Sequence, residues 1–241
     1  MPVTVHVADP SASPAGLEEV FEDFMLLDQT FSPFVEGSEV CRLNRQELPL
    51  EDASDLVKLA LSLSRLYEMA TDGYFSPWIA GKLDLCGLVK GWAIDRGCSI
   101  LERRGYHNYF IDAGGDAQTR GLREDGTPWR VGIRHPVQRD KVVRVILASD
   151  VAVATSGNYE KGDHIVDPHT GRPAVELVSF TVVGPDILQA DAYATAGFAM
   201  GKDGLGFIEG AAGYEAYAID RSYLGTWTAG FDDLCLDLAA R

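Results

Sequence analysis

Of the short apolar runs at 109–111, 129–133, 142–147, 151–154 and 177–183, several are linked closely enough for hairpins. That spacing constrains the fold most strongly, because it argues against a doubly wound parallel sheet with a helix between successive strands. Val3, Val5 and Val7 alternate with Thr4 and His6 and predict a first strand, and 215–220 reads as a late one. Leu17, Val20, Phe21, Phe24 and Leu27 recur at helical spacing. Leu56, Leu59, Ala60, Leu63, Leu66, Tyr67 and Ala70 line one face of a second helix, which Asp52 or Ser54 can cap and Gly73 can stop. A third helix is predicted over 90–104, opened by Lys90 and ending at Gly105, and a small-residue helix over 190–200. The chain is therefore predicted to be α+β, with mostly antiparallel sheets and packed helices.

Acidic residues outnumber basic ones 36 to 21 over 241 residues, a net charge of −15. A field of that sign repels nucleic acid and anionic membrane, so neither is an expected partner. No apolar run approaches the roughly 18 residues of a membrane span, and residues 1–10 have no signal-peptide pattern, so a cytoplasmic location is expected. Cys41, Cys86, Cys98 and Cys235 form no CxxC or zinc spacing and are expected to be reduced, mostly buried thiols. GxGxxG, GxxxxGK[ST], HExxH and GxSxG are all absent.

What remains is a set of polar, glycine-laden segments at element boundaries: LDLCGLVKGWAIDRG (83–97), DAGGD (112–116), ATSGNY (154–159), GDHIVDPHTGRP (162–173) and QADAYATAGFAMG (189–201). Glycine allows close backbone approach to a ligand, although each segment taken singly also reads as a turn. Asp191 and Thr195 are four apart and share one helix face, where a carboxylate and a hydroxyl make hard oxygen ligands suited to Mg²⁺. The alternative is an Asp favoured by the helix dipole. His164, as a neutral imidazole, can take a proton from a hydroxyl, with a structural histidine as the alternative. Lys90 can bind phosphate or simply be solvated.

Taken in this order, with FSPFVEGSEVCRLNR (31–45) before them, the segments LDLCGLVKG, DAGGD, ATSGNY, HIVDPHTGRP and ADAYAT resemble the ApbE family of FAD:protein FMN transferases. The resemblance implies an ApbE-like, T-fold-like domain of two fused lobes spanning 1–241. It implies Mg²⁺-dependent transfer of FMN from FAD to a threonine of a protein acceptor, with release of AMP. By position it places the metal on Asp191, Thr195 and the Gly87 carbonyl, with Asp191 and His164 as the catalytic pair and His164 as the base. Flavin contacts are implied for Tyr74, Phe75, Ser76, Asp84, Lys90, Thr155, Ser156 and His164. The aromatic GYFSPW stretch (73–78) has rings suited to covering the flavin or the adenine.

Departures from the family pattern are Ser76 in place of Asp, Trp78 in place of Thr, Cys86 in place of Gly, Asp163 in place of a second histidine, and Met1-Pro2-Val3 where Met-Gly-Thr is usual. Asp163 is expected to raise the pKa of His164. Hydrolysis of FAD to FMN and AMP, flavin binding without catalysis, and assembly as a homodimer all remain open from the sequence.

Overall fold

The computed structural model describes residues 1–138, 140–158, 162 and 164–236. Its helices are α1 (Pro14–Phe31), α2 (Glu39–Asn44), α3 (Asp55–Ala70), α4 (Cys86–Arg103), α5 (Ile187–Met200) and α6 (Gly204–Glu209). The strands are β1 (Val3–Val7), β2 (Trp78–Ile79), β3 (Lys82–Leu83), β4 (Tyr109–Ala113), β5 (Asp116–Arg120), β6 (Trp129–Arg134), β7 (Val142–Ala148), β8 (Ala152–Gly157), β9 (Val166–Asp167), β10 (Arg172–Pro173), β11 (Leu177–Gly184), β12 (Glu215–Asp220) and β13 (Gly225–Trp227). One sheet runs β1-β4-β5-β8-β11-β12-β13, and every neighbouring pair in it is antiparallel. The predicted α+β class with antiparallel sheet is therefore correct.

Side-chain alternation sends the two faces of this sheet to different cores. Tyr109, Ile111 and Ala113 of β4 face a core shared with Ile94, Leu101, Ala190 and Phe198 of α4 and α5. Phe110, between them, packs on the opposite face with Trp129, Ile146 and Phe231, where the β6–β7 hairpin covers the sheet. A register shift between Leu177 and Ser179 changes the parity of β11, so Leu177, Phe180 and Val182 all reach the helix side. A third core, with Val57, Leu61, Leu88, Trp92 and Ala196, joins α3 to α4 and α5.

α5 is apolar all round because it is enclosed by the sheet and α4, which is what such a pattern means in a globular fold. A Cβ at Gly197 would overlap the Phe180 ring, so glycine sets how closely this helix seats on β11. The helix starts at Ile187, three residues before the predicted start, because Asp186 accepts a bond from the Gln189 N–H and caps it. α4 likewise starts at Cys86 and not at Lys90, with Asp84 Oδ1 accepting from the Cys86 N–H at 2.9 Å. Lys90 thus lies a full turn inside the helix. No described helix is long and apolar enough to cross a membrane.

Candidate active site

α4 and α5 cross at two α4 glycines one turn apart. A Cβ at Gly91 would lie 2.8 Å from both Asp191 Cβ and the Ile187 carbonyl oxygen. A Cβ at Gly87 would lie 3.2 Å from Thr195 Oγ1 and 3.4 Å from the Phe75 ring. Glycine at both positions brings α4 backbone against Asp191 and Thr195, one helical turn apart on α5. Gly87, Asp191 and Thr195, expected to act together, are therefore brought together.

Asp191 is 1% exposed. Its Oδ2 accepts from the Gly91 N–H at 2.8 Å, and its Oδ1 lies 3.5 Å from Lys90 Nζ. An ideal helix directs the Gly91 N–H to the Gly87 carbonyl, so the bond to Asp191 eases the demand on that carbonyl. Lys90 Nζ is closer to a second buried carboxylate, Asp116 Oδ2, at 2.5 Å, and Asp116 Oδ1 accepts from the Thr155 N–H at 2.9 Å. Burial pushes the Asp191 carboxyl well above the usual carboxylate range; Lys90 opposes this and Asp116 reinforces it. Burial alone would lower the Lys90 ammonium, but the Asp116 and Asp191 carboxylates outweigh it and hold the lysine charged. Breaking such a buried pair from one side costs about 3–5 kcal/mol. The solvated lysine that the sequence leaves open is thus excluded.

β8 supplies the opposite wall. Ser156 Oγ lies 3.3 Å from Thr195 Oγ1, and Thr155 Oγ1 lies 2.8 Å from Thr181 Oγ1 of β11. Register with β11 places Ser156 opposite Phe180 and Thr155 opposite Thr181. Ser156 therefore meets the cleft, whereas the Thr155 side chain is spent on β11 and only its N–H serves Asp116.

For the other expected residues the described contacts are with groups other than Asp191. Phe75 is a core residue, 3% exposed and edge-on to Tyr67 at 6.1 Å, with its ring against Gly87. Tyr74 packs against His169, with ring centroids 4.3 Å apart, and His169 Nε2 donates to the Asp72 carbonyl at 2.8 Å. This joins the 72–76 turn to the hairpin of β9 and β10. Ser76 Oγ donates to Glu68 Oε1 at 3.2 Å, and Asp84 is occupied at the start of α4. His164 is exposed, and its Nδ1 bonds the Gly162 carbonyl at 2.8 Å. A carbonyl only accepts, so in the neutral ring Nδ1 carries the hydrogen and Nε2 the lone pair. No hydrogen bond described for His164 reaches Asp191 or Thr195. Asp163 and Tyr159 lie outside the described residues.

Among the described residues no cluster of three or more His, Cys, Asp and Glu side chains could hold a metal ion. A cation here would rest on one carboxylate, one hydroxyl and one carbonyl, the hard-oxygen set from which Mg²⁺ keeps several positions for water and phosphate. The Asp191 carboxylate, the Thr195 hydroxyl and the Gly87 backbone come together at the crossing, and their donor chemistry fits such an ion.

Two residues that matter here do not stand out in the sequence. Asp116 is the last letter of DAGGD, and nothing local distinguishes a site carboxylate from a turn residue. His169 sits in an HTG turn whose partner, Asp72, is 97 positions away.

A family model described as the ApbE family matches residues 79–218. The chain is 37% identical over 131 residues to a FAD:protein FMN transferase of Vibrio cholerae serotype O1, covering 50% of this chain and 39% of that protein. It is 33% identical over 131 residues to the one from Escherichia coli K12, covering 50% and 37%. The matched stretch thus spans less than two fifths of either relative. The structure of the ApbE protein from Thermotoga maritima superposes with a TM-score of 0.84 at 26% identity, covering 98% of this chain and 96% of that one. Flavin Transferase ApbE from Vibrio cholerae superposes with a TM-score of 0.81 at 22% identity, covering 96% and 95%.

Proposed function

This chain belongs to the ApbE family, and from that premise we propose that it transfers the FMN moiety of FAD to a threonine hydroxyl of a protein acceptor, in a Mg²⁺-dependent reaction that releases AMP. The observation that carries the proposal is the convergence of Asp191, Thr195 and the Gly87 backbone at the α4–α5 crossing, with a charged Lys90 beside them.

In this reading Asp191, Thr195 and the Gly87 carbonyl seat the cation, and Lys90 adds positive charge where the diphosphate lies. Held by Asp191, Thr195 and the Gly87 carbonyl, a divalent cation would supply electrostatic stabilisation of the diphosphate charge. Ser156 lines the same cleft through Thr195. The acceptor hydroxyl attacks the FMN phosphorus; the new P–O bond forms as the bond to the AMP oxygen breaks, and AMP leaves with that electron pair. His164 Nε2 takes the hydroxyl proton. The exposure of His164 suits this role, since a protein acceptor has to approach from solvent. Water in place of the acceptor would give FMN and AMP at the same site.

The test is incubation with FAD, MgCl₂ and a threonine-bearing acceptor. Flavin covalently bound to the acceptor supports transfer, free FMN with AMP supports hydrolysis, and unchanged FAD supports binding alone.

A further inference from the structure

We propose that Asp116 is a positioning residue: it draws the Lys90 ammonium away from Asp191 and so leaves Asp191 Oδ1 open to a divalent cation. The proposal rests on the reading of the α4–α5 cleft as a cation seat.

One ammonium faces two buried carboxylates at unequal range, 2.5 Å to Asp116 Oδ2 and 3.5 Å to Asp191 Oδ1. Neither carboxylate can move to even this out. Asp116 is fixed on β5, between β4 and β8, with Oδ1 held by the Thr155 N–H at 2.9 Å. Asp191 is fixed by the Gly91 N–H at 2.8 Å and by the crossing of α4 and α5. Lys90 is the adjustable member, on a flexible four-carbon stem. Attraction rises as separation falls, so the ammonium stays with whichever carboxylate offers the shorter approach. Asp116 offers it, and Lys90 remains near Asp191 without closing a short charge-assisted bond to it.

Neutralising Asp116 removes the competitor. Lys90 then closes on Asp191, and an incoming cation has to displace it. Removing the Asp116 charge frees the ammonium for Asp191, removing the ammonium leaves Asp191 without a competitor, and removing both takes away the competitor and its restraint together. Cation affinity should therefore fall in Asp116→Asn, hold or rise in Lys90→Met and recover in the double variant. A purely structural role for Asp116 would not be repaired by a second substitution.

Asp116→Asn keeps the acceptor for the Thr155 N–H and removes the charge that faces Lys90 and Asp191. Mg²⁺ alone is titrated calorimetrically into the full chain and the three variants, without flavin. Asp116→Asn should bind Mg²⁺ about tenfold or more weakly, the usual scale for losing an outer partner of a metal ligand. The double variant should recover toward native affinity, and Lys90→Met should bind at least as tightly as the native chain. A crystal structure of Asp116→Asn should show Lys90 Nζ within hydrogen-bond distance of Asp191 Oδ1. Native-like Mg²⁺ affinity in Asp116→Asn, no recovery in the double variant, or an unmoved Lys90 would each overturn the proposal. If Asp116→Asn does not fold, weaker binding by Lys90→Met would overturn it in the same titration. If the native chain takes up no Mg²⁺, the cation reading falls, and the position of Lys90 in the crystal still decides what Asp116 does.

Discussion

Gly91 and Asp191 constrain one another twice. The Gly91 N–H holds Asp191 Oδ2 at 2.8 Å, and the missing Gly91 side chain leaves room for Asp191 Cβ, which a methyl group would meet at 2.8 Å. One glycine therefore sets both the spacing of α4 from α5 and the aim of the buried carboxylate.

Gly91→Ala should be destabilising despite the better helix propensity of alanine. Propensity favours Ala by about 1 kcal/mol, while forced overpacking costs about 1–3 kcal/mol. One of the atoms the new methyl would meet is the Ile187 carbonyl oxygen, which belongs to backbone and cannot turn aside. A lower urea midpoint with unchanged slope is expected; a midpoint above that of the native chain would show that the helices separate without loss.

His169→Ala should weaken FAD binding by about fivefold, equivalent to about 1 kcal/mol for one hydrogen bond between the two loops. The bond to the Asp72 carbonyl and the packing on Tyr74 are its described contacts with the 72–76 turn, and His169 lies outside the buried cores. The melting temperature should move little. Flavin fluorescence titration reads the affinity, and unchanged affinity would mean that the turn holds its shape without the histidine.

Asp95 gives a pH dependence of definite sign. Burial raises its pKa, neighbouring Asp186 and Glu102 add to this, and Arg120 offsets part of it. The folded state then binds the proton more tightly than the unfolded state, so stability declines as pH rises from the ordinary carboxylate value through the raised one. Asp95→Asn should remove that decline and be more stable than the native chain at pH 7. Urea midpoints between pH 4 and pH 7 that run parallel for the two proteins would contradict it.

Cys98 should resist thiol reagents in the folded protein. It is 2% exposed, and burial pushes its thiol up to about 12, so almost no thiolate is present at neutral pH. Alkylation followed by peptide mapping should find Cys98 unmodified until denaturant is added. Modification at native rates comparable to those of exposed Cys86 would show that α4 opens locally.

Much of the fold and of the site is legible in the amino-acid sequence. The close spacing of the strands predicts the antiparallel sheet; Asp191 and Thr195 share a helix face by spacing, while Gly87 is placed only by the family resemblance and Lys90 by itself reads equally as a solvated lysine. β5 does not, because Asp116-Ala117-Gln118-Thr119-Arg120 has no apolar alternation. It is a strand because β4 and β8 pair with it on either side and because Thr119 Oγ1 bonds the Val151 carbonyl at 2.9 Å. The early start of α4 is hidden by Cys86-Gly87, where glycine reads as loop but marks a helix crossing. Phe75 reads as a ring for the flavin, yet α3 and α4 claim it for the core. The β5 miss comes from partner strands that local pattern does not contain, whereas the early helix starts rest on the nearby caps Asp84 and Asp186.

The most direct test of the account is mass spectrometry of an acceptor protein incubated with FAD and Mg²⁺ and either the native chain or Asp191→Asn. The account predicts that the native chain adds one FMN moiety to an acceptor threonine and that Asp191→Asn, though folded, adds none detectably under the same conditions. Equal flavinylation by both proteins, or none by the native chain on an acceptor that its relatives modify, would contradict it.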